Sequence, residues 1–67
     1  MTNRDKLACV EREIHFRRSC YPRWVAQGKM THHEARHEIE MMESIADDYR
    51  TKVKADEPDL FTTGSPR

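Results

Sequence analysis

"YPRWVAQGKMTHHE", residues 21–34, is the stretch that decides the fold. Apolar residues recur at helical spacing on both sides of it, and inside it the pattern stops once. Gly28 tolerates the left-handed backbone that ends a helix. Thr31, followed three residues later by Glu34, is a capping-box signature, so a second helix is expected from about His32. Only Lys29 and Met30 stand between stop and start. A connection that short lays two helices side by side and antiparallel. Pro22 falls inside the first pattern, where it removes one backbone bond and crowds the carbonyl of Arg18. Because Trp24 and Val25 resume the apolar phase, a kink is expected there, not an end.

Working outward, the first helix is predicted over about 3–26, with Asn3 as N-cap and Asp5 in the first turn. Leu7, Val10, Ile14, Tyr21 and Trp24 form its apolar row, interrupted by Arg17. The turn takes 27–31 and the second helix about 32–54. On that helix Ala35, Ile39, Met42, Ala46, Tyr49 and Val53 fall within about 45° of one direction. The antiparallel register sets Trp24 near Ala35, Tyr21 near Ile39, Ile14 near Ala46 and Leu7 near Val53. The fold class is all-α: a helical hairpin over residues 1–55. Residues 56–67, with a Pro, a Gly-Ser-Pro and no periodicity, read as a disordered tail. Arg17 sits in the seam. It either pairs with Glu38 or Glu43, which the register brings near it, or carries its head out to water.

Each helix shows a second apolar row, which a lone hairpin cannot cover. On the first helix it holds Cys9, Phe16 and Cys20, roughly 80–120° from Val10. On the second it holds Met41 and Ile45. With 67 residues the chain is one domain at most, and domains of this size rarely draw more than about 3–5 kcal/mol from their own core. The expected solution is a homodimer, a four-helix bundle with Cys9, Phe16, Cys20, Met41 and Ile45 at its interface.

Several function classes are disfavoured. His33-Glu34-Ala35-Arg36-His37 matches H-E-x-x-H, in which two His four apart hold Zn²⁺ and the Glu is general base. With Ile39 at zero, however, the two His lie near +120° and +160°, roughly opposite the apolar stripe. They face solvent, where no third ligand is fixed. No catalytic residue, metal ligand or cofactor is expected. Cys9 and Cys20 are about 16 Å apart on one helix, too far for an intrachain disulfide. Without an apolar leader or spanning run, a reduced, cytoplasmic protein with no membrane partner is expected. Twelve basic and twelve acidic residues cancel. Residues 4–25 carry six basic against three acidic side chains, and residues 32–55 carry four against six, which favours packing of one helix on the other. That balance argues against a dedicated nucleic-acid binder. A small nucleic-acid-associated regulator using the Arg cluster of the first helix is the alternative reading. It lacks an exposed stacking platform, because Tyr21 and Trp24 lie on the core stripe.

What stays exposed with hot-spot chemistry lies around the turn: Arg18, Arg23, the edge of Trp24, Lys29 and Met30. These are the expected partner-binding residues. The same stretch, "RRSCYPRWVAQGKMT" followed by a helix ending "MMESIADDYR", resembles small early-region proteins of temperate Mu-like phages of proteobacteria. The resemblance covers residues 4–50 and rests on Tyr21, Pro22, Arg23, Val25, Gly28 and Met30. One member of that family is a quorum-sensing anti-activator that binds a LuxR-type transcription regulator and the type IV pilus assembly ATPase. The resemblance therefore implies a phage-encoded inhibitor acting in the host bacterial cytoplasm by occluding a host regulatory protein. It assigns no binding residue, since the motif positions read as structural.

Overall fold

A computed structural model describes residues 1–57 as two helices, α1 (Asn3–Ala26) and α2 (His32–Asp56), packed as an antiparallel hairpin. α1 starts at Asn3, as expected, but its cap lies one residue earlier. Thr2, not Asn3, is the N-cap: its hydroxyl accepts the Asp5 N–H at 3.0 Å, and its own N–H donates to the Asp5 carboxylate at 3.3 Å. Asn3 is thereby free to donate its side-chain amide to Asp56 at 2.9 Å, which ties the open end of the hairpin together.

α1 runs unbroken through Pro22. It stops at the turn in a Schellman arrangement: Gly28 N–H donates to the Val25 carbonyl at 3.0 Å and Lys29 N–H to the Trp24 carbonyl at 2.9 Å. Gly28 has φ +74°, the left-handed value this motif requires. Thr31 then caps α2 in a complete capping box with Glu34, with bonds of 2.8 and 3.0 Å. α2 continues two residues past its expected end. Glu57 is its extended C-cap (ψ 142°), as expected of a residue that precedes proline. Asp56 therefore belongs to the helix and not to a tail; residues 58–67 lie outside the described residues.

Along the seam lie the buried side chains Ile14, Cys20 and Tyr21 of α1 and Ala35, Ala46 and Val53 of α2. The turn end is the better filled: Trp24, Val25, Met30 and Ile39 pack around Cys20, Tyr21 and Ala35. Ala46 is fully covered. Ala35 and Ala46 put small side chains at two of the covered positions of the α2 stripe.

Arg17 takes a seam position and is satisfied there. Its guanidinium bonds Glu13 at 2.9 Å and the Glu38 carbonyl at 3.1 Å, with the Glu38 carboxylate at 3.5 Å. The Glu13 hydrogen bond pushes its pKa further up. Glu43, the other acid expected near it, pairs with Arg18 instead. Arg4 with Glu57 (2.6 Å) and Arg50 with Glu11 (3.2 Å) complete a line of cross-helix pairs on the Arg18 side of the hairpin.

Candidate protein-interaction surfaces

The two broad faces of the hairpin differ. One carries the Arg4–Glu57, Arg50–Glu11 and Arg18–Glu43 pairs. The other carries three large apolar side chains left exposed within the helices: Phe16 at 50%, Met41 at 47% and Ile45 at 37%. Cys9 is exposed and Cys20 is buried. The expected interface residues therefore do not behave as one set. Cys20 belongs to the hairpin's own core, which corrects its place in the outer row. The reason is local. Phe16, Cys20 and Trp24 are stacked at four-residue steps, about 12 Å from first to last along the helix. The Phe16 and Trp24 rings nevertheless meet edge-on with centroids 6.4 Å apart, so they lean together over the Cys20 thiol. Tyr21 meets Trp24 from the other side at 5.5 Å. Helix angles alone cannot show two rings closing over a small residue between them.

The residues expected to grip a partner also divide. Arg23 and Lys29 are exposed, whereas Trp24 and Met30 are half-buried against the Cys20–Tyr21–Ala35 core. Arg18 is exposed but held in its ion pair with Glu43. Of the arginines at 17, 18 and 23, two are thus matched by carboxylates within the hairpin. This leaves the Arg cluster with little uncompensated charge for phosphate.

A feature not anticipated from sequence is a shallow apolar groove near the turn, on the ion-pair face. Tyr21, Pro22, Val25, Ala35 and Ile39 form its floor, with His32, Arg36 and Glu40 at its rim. Pro22 has no N–H for the carbonyl of Arg18, so an acceptor without its helical donor adjoins this floor. The signal was present in Val25 and Ile39, which sit at the edge of their stripes. By periodicity only Ile39 is a seam residue; Val25 marks no more than the resumption of the apolar phase past Pro22.

His33 and His37 are exposed and their rings stack at 6.4 Å. Among the described residues no three or more His, Cys, Asp or Glu side chains are grouped to hold a metal ion. No described helix is long and apolar enough to cross a membrane. The chain matches no protein-family model, no curated protein and no solved structure.

Proposed function

We propose that this chain is a protein-binding inhibitor that associates with itself through the Phe16–Met41–Ile45 row and occludes a host regulatory protein with the surface around its turn. The observation that carries the reading is the row itself: three large apolar side chains, each at least a third exposed, on a hairpin whose own core is six residues. Leaving such a row in water is costly for a chain with so little buried area, and covering it is the ordinary source of affinity in small helical proteins. The turn surface, with Arg18, Arg23, the edge of Trp24, Lys29 and Met30, supplies Arg and Trp beside a lysine. This chemistry suits an acidic patch on another protein.

The resemblance to Mu-like phage proteins supplies the class of target: a LuxR-type transcription regulator, and with it the type IV pilus assembly ATPase. Binding is tested by titrating the purified chain against such a regulator and against duplex DNA over a range of salt. Tight, saturable binding to the protein and none to DNA is expected. A phosphate binder using about four basic residues would instead lose DNA affinity with a log–log salt slope near −4. That result would replace the reading with the nucleic-acid one. The turn surface is tested separately with Arg18→Gln and Lys29→Glu together. Gln is chosen because Arg18→Glu would set a second carboxylate against Glu43. Loss of target binding with unchanged helicity is expected, and wild-type affinity would place the grip elsewhere.

A further inference from the structure

We infer that the groove beside the turn is a docking site for an amphipathic helix of another protein, one that lays apolar side chains on the Tyr21–Val25–Ile39 floor and sets a carboxylate against Arg36. The inference rests on the reading that this chain works by binding protein. It adds a second surface and the chemistry of what fills it.

The cross-helix pairs form a ladder with one rung incomplete. Arg4 pairs with Glu57, Glu11 with Arg50 and Arg18 with Glu43. Successive pairs are seven residues apart on both helices, ascending on α1 and descending on α2, and their signs alternate. Seven residues are nearly two helical turns, so each rung returns to the same flank of the seam. The next rung is position 25 against position 36. Arg36 stands there with the sign the alternation requires, but its counterpart is Val25 and not an acid. Both residues line the groove, as the register demands. Arg36 is exposed and makes no ion pair among the described residues.

Glu40 does not replace the missing acid. It lies one turn along α2 in the row of Lys54 and Asp47, which stand between rungs at the outer edge. An Arg four residues before a Glu is also the poorer order for a pair within one helix, and Arg36 and Glu40 make none. What remains at the fourth rung is an open crease of about 420 Å³, with an apolar floor and an unmatched cation at its edge. That volume lies within the roughly 300–1,000 Å³ of sites that bury a ligand. A crease between two antiparallel helices accepts a third helix with its apolar face down. A carboxylate beside that face takes the place that α1 leaves without an acid.

The chain's own C-terminal segment has this chemistry in Asp59, Leu60 and Phe61, but covalent reach excludes it within one copy. From Glu57 to the level of Arg36 is about 30 Å along α2, and the four residues from Glu57 to Phe61 span at most about 14 Å. The acid therefore comes from another molecule.

The probe is a fluorescent synthetic amphipathic helix with Leu at i, i+3 and i+4 spacing and a Glu beside the row, titrated against the full chain by anisotropy. A second probe carries Lys in place of Glu. Saturable binding of the Glu probe is expected, with the Lys probe at least about 10-fold weaker. Arg36→Glu should reverse that preference, and because Arg36 is exposed this swap leaves the fold intact. Val25→Glu should abolish binding of the Glu probe, since it supplies the missing acid to Arg36 and charges the floor. It should also melt above Val25→Gln, an advantage that vanishes in an Arg36→Gln background; an equal difference in both backgrounds removes the fourth rung and the inference with it. Equal binding of the two probes, or wild-type affinity in Val25→Glu, overturns the inference. A changed sedimenting mass in Val25→Glu shows that a second copy fills the groove and overturns it too. A LuxR-type regulator that binds while the Glu probe does not leaves the proposed function standing and removes the groove. A probe that binds while the regulator does not leaves the groove and removes that target.

Discussion

Gly28→Ala isolates the one backbone position on which the turn depends. Gly28 holds φ +74°, and a Cβ built there meets nothing within 4 Å. Any penalty therefore comes from the residue's own backbone and not from a clash with the hairpin. A left-handed conformation costs an L-residue about 1–2 kcal/mol. Alanine recovers part of this, about 0.4–1 kcal/mol, because its unfolded chain is less free. The expected net loss is about 1 kcal/mol, which in a domain of this size lowers Tm by about 4–8 °C. Gly28→Asn should lose less, since Asn is the residue that best tolerates this region after Gly. The assay is denaturant unfolding followed by helical ellipticity, at one fixed protein concentration because self-association would make Tm concentration-dependent. Equal stability of the Ala and Gly chains would refute the reasoning, because it would mean that the Schellman bonds of Gly28 and Lys29 do not need this geometry.

Ala46 is fully covered between the helices, so Ala46→Leu should force them apart and cost about 1–3 kcal/mol in the same unfolding assay. Glu34 has its carboxyl pKa held below the ordinary range, first by the Thr31 backbone N–H and then by the Thr31 side chain. A depressed folded-state pKa adds stability above the unfolded value and loses it as pH falls through the folded value. Thermal melts of the wild type and Glu34→Gln on acidification should therefore converge, the Gln chain showing the shallower decline; parallel curves would remove the cap from the pH response. His33→Ala with His37→Ala should leave the melting curve unchanged, both rings being exposed. A zinc-dependent rise in wild-type Tm that the double variant lacks would show that the pair holds metal after all.

The sequence by itself determined the two helices, their order and their antiparallel approach, because these depend on local chemistry. Gly28 ends one helix, Thr31 with Glu34 begins the next, and the short link leaves no other path. The stripe through Ala35, Ile39, Met42, Ala46, Tyr49 and Val53 was legible because a 3.6-residue period is a property of the chain alone. The exposure of Phe16, Met41 and Ile45 follows from the same geometry, since a hairpin covers one stripe on each helix. Tertiary structure decided what depends on side chains reaching across space. Cys20 became core because the Phe16 and Trp24 rings lean over it. Arg18, on the flank of its helix, took Glu43, while Arg17 in the seam found Glu13 and Glu38. Thr2 displaced Asn3 as cap once Asp5 closed the box, and Asn3 reached Asp56 at the far end of α2. The groove between Tyr21, Val25 and Ile39 exists only when both helices are in place, because each contributes one wall. Periodicity assigns a residue to a face of its own helix, and only the packed pair determines whether a ring, a carboxylate or water meets it there.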